Sequence, residues 1–256
     1  SILSNVTLSG VNITENNASL GGGLFLWGNS AILFDQDNLC NIFDNNAGKG
    51  TDMYIRDTGL VNVFVDTFSV YNPDQFFAAC VDDAAYSFSI QHAWMDLVSH
   101  DLYVAPDGDN ANSGISADEP LQTIAWAMRR VDADSLHPRT IHVAAGEYSH
   151  ELNNQLFPIG FKPYTSIIGE DMESTILTND FGFGVFASSR NNGVVGIENF
   201  TLHTDFWEEA GCIVYIYKTD KVIINNLTIE NCEDTRFVFF NEFVENEYNN
   251  IILRDN

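Results

Sequence analysis

The stretch DLYVAPDGDNANSGISADEPLQTIAWAMRRVDADSLHPRTIHVAAGEY, residues 101–148, decides the predicted fold. It opens with a short apolar strand at 102–104 and continues as a loop rich in Gly, Asn and Asp, as turns require. A helical segment follows, and then a second strand at 140–144 with a glycine turn behind it. We interpret the stretch as the opening coil and the plug of a coiled parallel sheet.

The helical segment is predicted to span residues 118–131. Asp118 is placed near its N-cap and Pro120 in its first turn, while Arg129 and Arg130 complement the dipole at its end. One apolar face is expected from Leu121, Ile124, Ala125, Met128 and Val131. Such a one-sided helix is suited to lie over the open mouth of a β-coil.

Repeats on both sides of this stretch indicate a β-solenoid. Ile13-Thr14-Glu15-Asn16-Asn17-Ala18 recurs as Ile42-Phe43-Asp44-Asn45-Asn46-Ala47. Asn199-Phe200-Thr201-Leu202 returns as Asn226-Leu227-Thr228-Ile229, with a looser copy at 250–253. Short strands and Asn corners at a period in the twenties are typical of stacked coils. Asn tolerates left-handed corners, and stacked Asn side chains can bond along the axis.

The domain organisation follows from where this rhythm is interrupted. Residues 1–57 are predicted to be the last coils of a first β-helix. Residues 58–100 lack Asn corners and are interpreted as a cap or linker, with antiparallel strands as one option, because a solenoid end must be covered. Residues 101–256 are predicted to start a second β-helix.

Residues 102–148 resemble a known family. Four short motifs follow one another in order: Tyr103-Val104-x-Pro106-x-Gly108, Asn112-Ser113-Gly114, Pro120-Leu121-x-Thr123-Ile124-x-x-Ala127 and Ile141-x-Val143-x-x-Gly146-x-Tyr148. Together they resemble the opening of secreted right-handed parallel β-helix proteins of the pectate-lyase-like superfamily, which are common among exported and cell-surface bacterial proteins. The resemblance implies an all-β fold, a right-handed parallel β-helix (solenoid) with a short capping α-helix, and an extracellular or cell-surface location. It implies little about activity, because this fold carries lyases, hydrolases and inert stalks.

Composition and charge limit the classes of partner. Eleven basic residues face 36 acidic ones, a formal net charge of −25, so nucleic acid and anionic lipid are poor partners. No apolar run is long enough for a transmembrane helix, so membrane insertion is not expected. Because the first residues already have the strand pattern, we expect the sequence to be part of a longer protein.

The four cysteines are widely spaced and form no C-x-x-C pair, which argues against a zinc site. Buried free thiols are expected at Cys40, Cys80, Cys212 and Cys232. A bridge between Cys212 and Cys232 on neighbouring coils is the alternative.

Two sets of residues are candidate sites. The acidic loop offers weak calcium ligands, although the bidentate Glu of an EF-hand is not in its place and a plain turn explains the same residues. These ligands are Asp107, Asp109, Asn110 and Asn112. The second set lies in a loop that leaves the coil, where carboxylates occur together with a His and with a Trp that could stack on a sugar ring. The alternative is a solvated loop that binds nothing. The residues of this carbohydrate-binding set are His203, Asp205, Trp207, Glu208 and Glu209.

The sequence favours a non-catalytic structural or adhesive element of an exported bacterial surface protein. The chain both starts and stops in coil pattern, so its partners are expected to be neighbouring copies or adjacent repeats, stacked head to tail as a fibre. Polysaccharide is a further expected partner. The alternative function is a carbohydrate-active enzyme, either lyase or glycoside hydrolase, or a carbohydrate-binding module. No catalytic residue is assigned, and no cofactor is expected apart from calcium.

Overall fold

The computed structural model of the chain forms two compact units, Ser1–Asp96 and Leu97–Asn256. The structure describes residues 5–27, 31–56, 60–70, 73, 86–95, 97–179, 184–189, 193–204, 212–217, 219–230, 237–242 and 245–254. Within these residues the regular structure is parallel β-strand with two short helices. The predicted all-β class, a parallel β-helix with a short capping helix, is therefore confirmed.

The first unit is a stack of short parallel strands in which each strand lies beside the strand one coil later. Thus β1 pairs with β5, β2 with β6, β3 with β7 and β4 with β8. Its strands are β1 (Asn5–Leu8), β2 (Asn12–Thr14), β3 (Asn17–Leu20), β4 (Leu24–Trp27), β5 (Ala31–Phe34), β6 (Cys40–Phe43), β7 (Asn46–Lys49), β8 (Met53–Arg56), β9 (Val61–Phe68) and β10 (Tyr86–Ala93).

The sequence repeat of this unit is its coil repeat. Ile13 lies opposite Ile42, and Leu24 lies opposite Met53. The side chains of Asn12 and Asn41, 29 residues apart, are hydrogen-bonded at 2.8 Å. Equivalent positions therefore stack in columns, as the spacing predicted.

Strands β9 and β10 continue the stack without Asn corners. Strand β9 pairs with β6 and β10 pairs with β9, both in parallel, so the option of antiparallel strands is wrong. The reason is the partner of β9: it stacks on β6, the strand one coil earlier, and its buried Val61, Val63 and Val65 share a core with Cys40 of that strand. Cys40 is a buried free thiol, as expected. The role of residues 58–100 as a cap or linker stays a prediction.

The second unit contains a larger parallel stack. One path of strands runs β11–β12–β15–β18–β20–β22. Strand β16 pairs with the second half of β18, and β13 pairs with β16. A separate sheet runs β14–β17–β19–β21. Its strands are β11 (Leu102–Val104), β12 (Arg139–Val143), β13 (Gly146–Ser149), β14 (Ile159–Gly160), β15 (Thr165–Gly169), β16 (Thr175–Asn179), β17 (Phe186–Ser189), β18 (Val194–Thr204), β19 (Cys212–Tyr217), β20 (Lys221–Glu230), β21 (Phe237–Glu242) and β22 (Glu245–Arg254).

The core of this unit is built from inward-facing columns. One column places five fully buried aliphatic residues in register, each at 1% exposure or less: Leu102, Ile141, Ile167, Ile197 and Ile224. Each such side chain contributes roughly 1.5–3 kcal/mol by leaving water. The columns explain why the strands show alternating apolar residues in the sequence.

The capping helix α1 spans Ile124–Arg130, not residues 118–131. It begins later because Leu121 is held in a strand-like bridge to Val104, with hydrogen bonds to Tyr103 and Ala105. The N-cap is Thr123, whose side chain accepts a hydrogen bond from the Trp126 amide, so Asp118 and Pro120 lie in the preceding turns. The helix ends where Val131 bridges to Val98.

The apolar face of α1 shares Ile124 and Met128 with the predicted one, while Leu121 lies before the helix, Val131 is its C-cap, and Ala127 takes the place of Ala125. Ile124, Ala127 and Met128 are buried, whereas Ala125 is half-buried. The later start explains this, because the i, i+3, i+4, i+7 series now runs from Ile124 to Val131. These residues share a core with β11 and β12, and the helix contacts both strands as well as β14.

A second helix, α2 (His150–Asn153), follows β13 and is capped by Ser149. Neither helix has the length and hydropathy that a membrane span requires, and no other helix occurs in the described part of the chain.

Candidate functional site

A column of asparagines marks the bend within the three long strands of the second unit. Asn199, Asn226 and Asn250 all have positive φ, at 64°, 50° and 53°. Asn tolerates this left-handed conformation better than other non-glycine residues. The two halves of β18 can therefore pair with different strands, β15 before Asn199 and β16 after it.

The same side chains form a ladder along the stack. Asn250 Nδ2 donates to Asn226 Oδ1 at 2.8 Å, and Asn226 Nδ2 donates to Asn199 Oδ1 at 2.9 Å. Asn199 Nδ2 in turn donates to the carbonyl oxygen of Gly169 at 3.1 Å. Because each amide is both donor and acceptor, the ladder can pass from coil to coil without leaving a group unpaired.

A charged column lies on the outer face at the end of the same strands. His203, Glu230 and Arg254 are in register on β18, β20 and β22. His203 Nε2 lies 2.8 Å from Glu230 Oε1, and Arg254 Nε donates to Glu230 Oε2. Their side-chain exposures are 27%, 16% and 53%, so the carboxylate is the most enclosed of the three. We call this set the His–Glu–Arg column.

Glu230 is held in its ionised form by this arrangement. The hydrogen bond from His203 is the main cause that lowers the pKa of the Glu230 carboxyl, and Arg254 adds to the effect against the opposing effect of burial. The column thus joins three consecutive coils through one carboxylate whose two oxygens are both used.

The column extends toward the start of the stack. Thr178 lies in register with His203, and its Oγ1 donates to Glu147 Oε1 at 2.8 Å. The outer face therefore offers polar groups at each rung, about 4.8 Å apart. Such a row can stabilise the stack, and it can also hydrogen-bond an extended polar ligand.

The predicted carbohydrate-binding set falls mostly outside the described residues. His203 is described and takes part in the column. Asp205, Trp207, Glu208 and Glu209 lie in 205–211, outside the described residues. That set therefore stays a prediction.

Sequence reasoning missed Glu230 and Arg254. The signal that could have found them is the repeat offset, because Glu230 lies 27 residues after His203 and Arg254 lies 24 after Glu230. The same two offsets separate the members of the Asn ladder. Had the repeats been aligned along the whole length of each strand, rather than at the Asn tetrapeptide alone, the column would have been visible in the sequence.

The predicted calcium loop uses its asparagines to hold its own fold. Asn110 Oδ1 accepts hydrogen bonds from the amides of Gln122 and Thr123 at 3.0 and 3.1 Å, and Asn112 Nδ2 donates to the Pro120 carbonyl at 2.9 Å. Asp107 and Asp109 are exposed. Among the described residues no group of three or more His, Cys, Asp or Glu side chains is placed to hold a metal ion. The calcium site stays a prediction.

Aligned strands, inward apolar columns and outward polar ladders define this chain as a parallel β-solenoid protein. Residues 106–256 match the model of the family described as "Protein of unknown function (DUF1565)". The match covers more than half of the chain, so the chain belongs to this family. Comparison with curated proteins found no match, and comparison with solved structures found none either.

Proposed function

We propose that this chain is a non-catalytic structural or adhesive element of an exported bacterial surface protein, with an extracellular or cell-surface location. The observation that carries the proposal is that Asn side chains form hydrogen bonds from one coil to the next, along the axis of the stack. Asn16 bonds to Asn45 at 2.9 Å, as Asn199, Asn226 and Asn250 bond in series. Side chains that bond to the next coil stiffen the stack along its axis. The resemblance to secreted pectate-lyase-like proteins supports the location.

Strand β22 supports neighbouring copies or adjacent repeats of the same protein as partners. Tyr248 and Leu253 occupy positions in register with the buried Ile224 and Ile229, yet they are 44% and 56% exposed. Another strand paired with β22 would bury these side chains, and the burial would stabilise the contact by about 25 cal/mol per Å² of apolar surface. A coil supplied by a repeat or by a second copy fits this edge, as the fibre hypothesis requires.

Sedimentation velocity and negative-stain microscopy test the stacking. We expect head-to-tail filaments, or a sedimentation coefficient that rises with protein concentration. Leu253→Asp should abolish the association, while Asn249→Asp, at an exposed position in register with the half-buried Asn225, should weaken it less. A monomer of constant size across the concentration range contradicts self-stacking.

The second candidate is a carbohydrate-active enzyme or a carbohydrate-binding module, favoured by the partly exposed His–Glu–Arg column. A panel of uronic and neutral polysaccharides, with and without calcium, tests it by reducing-end release and by calorimetry. The structural proposal expects no turnover. Turnover that is lost in Glu208→Gln or Glu209→Gln would establish the enzyme, and binding without turnover would establish the module.

A further inference from the structure

The sign of the charge alternates between the last two coils at both ends of the long strands. At the start of these strands, Lys221 of β20 lies opposite Glu245 of β22. Its Nζ is 3.6 Å from Glu245 Oε1 and 3.1 Å from Glu247 Oε2. At the end of the strands, Glu230 of β20 lies opposite Arg254 of β22, and the two side chains form an ion pair. Strand β20 therefore runs from a positive to a negative end, and β22 runs from a negative to a positive end.

The charged side chains of β22 are open to solvent on the side away from β20. Within the described residues β22 pairs with β20 alone. The side chains of Glu245 and Glu247 are 73% and 60% exposed, compared with 30% for Lys221 on the inner strand. Likewise, Arg254 is more exposed than Glu230. The outer edge of β22 therefore has room for charges of opposite sign on a further strand.

The Asn ladder sets a second condition at the same edge. Each Nδ2 donates to the Oδ1 of the preceding coil, from Asn250 to Asn226 and from Asn226 to Asn199. An asparagine on a following coil would continue this order by donating to Asn250 Oδ1, and it would tolerate the positive φ that the three residues share. Apolar residues opposite Tyr248 and Leu253 would complete the inward columns.

We propose that the outer edge of β22 takes, in parallel, a strand of the β20 type from a further repeat. Such a strand begins with Lys or Arg opposite Glu245, carries Asn opposite Asn250, and ends with Asp or Glu opposite Arg254. Opposite charges in register stabilise a pair of strands, whereas like charges directly opposite each other destabilise it. This partner rests on the proposed function, since it takes β22 to be the edge on which a further coil stacks.

Two other occupants of this edge satisfy fewer of these conditions. Strand β1 of a second copy supplies Asn5 and apolar residues, but its alignment on Asn250 brings Ser9 opposite Arg254, where a carboxylate is required. Strand β22 of a second copy matches the charges only in the antiparallel direction, since Glu245 then lies opposite Arg254. Every strand pair in the described part of the chain is parallel, so antiparallel pairing would interrupt the stack.

Binding of labelled peptides to the full chain, measured by fluorescence anisotropy at low salt, tests this charge rule. The first peptide has the sequence of β20, Lys221–Glu230. The matched control exchanges its charged ends, Lys221→Glu and Glu230→Lys, and keeps the composition, the asparagines and the apolar residues. We expect the β20 peptide to bind about tenfold more tightly, because two attractive ends replace two repulsive ones. Added salt should reduce this preference by screening, and Arg254→Gln should reduce it by removing one end.

Equal affinities of the two peptides would overturn the charge rule, as would tighter binding of a peptide with the sequence of β22. If neither peptide binds measurably, the full chain extended after Asn256 by a copy of residues 205–230 decides the same point. Hydrogen exchange of β22 should be slower in this extended chain than in one whose added coil carries the two exchanged charges, and equal exchange overturns the rule.

The charge rule and the self-stacking of copies can fail separately. A chain that sediments as a monomer and yet prefers the β20 peptide refutes the filament and supports the charge rule. Filaments formed by a chain that shows no preference between the peptides support stacking and overturn the charge rule.

Discussion

Replacing Asn226 tests the central physical claim, that the Asn ladder binds successive coils together. Asn226→Ala removes the donor to Asn199 and the acceptor for Asn250, a loss of two hydrogen bonds at about 1 kcal/mol each. It also forces a Cβ-bearing side chain without Asn's local hydrogen bonding into a φ of 50°, which costs roughly 1 kcal/mol more. We expect a loss of about 3 kcal/mol in the free energy of unfolding.

A glycine at the same place separates the two contributions. Asn226→Gly loses the same hydrogen bonds but adopts positive φ freely, so it should be the more stable variant by up to about 1 kcal/mol. The matched control is Asn225→Ala, one position earlier on β20, which is also half-buried but lies outside the left-handed region. That change should cost about 0.5 kcal/mol or less.

Urea unfolding followed by circular dichroism gives the three values, and hydrogen exchange of β18, β20 and β22 shows where stability is lost. Exchange is needed as well because stacked repeats can unfold in parts rather than in one step. If Asn226→Ala proves as stable as Asn225→Ala, the ladder contributes nothing and the reasoning is refuted.

The ionised Glu230 carboxylate stabilises the folded wild type, because its pKa is lowered on folding. This stabilisation is fully present above the ordinary pKa of about 4.3 and is lost as pH falls through the folded-state pKa. Glu230→Gln lacks it at every pH. Thermal melts from pH 7 to 3 should therefore converge for the two proteins, and parallel curves would contradict this. Gln155→Leu should cost about 1–3 kcal/mol because it leaves a buried helix amide unpaired, whereas Gln122→Leu, at a half-buried position, should cost little in the same urea assay. Gly169→Ala should lower the melting temperature, since its Cβ would lie 2.1 Å from a backbone oxygen, while Gly160→Ala has nothing within 4 Å and should melt like the wild type.

The architecture was predictable because each coil repeats the same residue types at equivalent positions, Asn at the corner and apolar residues in the strands. The recurrence of Asn at 199, 226 and 250 fixed both the corner and the register, and the structure pairs these strands accordingly. Strands β9 and β10 were harder to place, because valine alternation is shared by parallel and antiparallel strands and only their partners decide between them.

Helix α1 shows where local signals mislead. Asp118 and Pro120 form a good helix start by residue type, but the backbone of Leu121 bonds to β11 and delays the helix. Likewise, Lys162 gives no local sign of its contact with α1, because its acceptors, the carbonyl oxygens of Arg129 and Val131, lie 33 and 31 residues earlier in the chain. Contacts between distant segments, rather than local helix propensity, determine both where α1 begins and where the Lys162 side chain lies.

The unequal spacing of aligned residues has a consequence for how this protein can change. The partners in the ladders lie 29 residues apart in the first unit, but 27 and then 24 apart at the last rungs of the second, while the pairing of strands is unaltered. Length is thus free to vary outside the aligned strands. Evolution or an engineer could lengthen one connection to carry a new epitope, and the rungs above and below would not need to be redesigned.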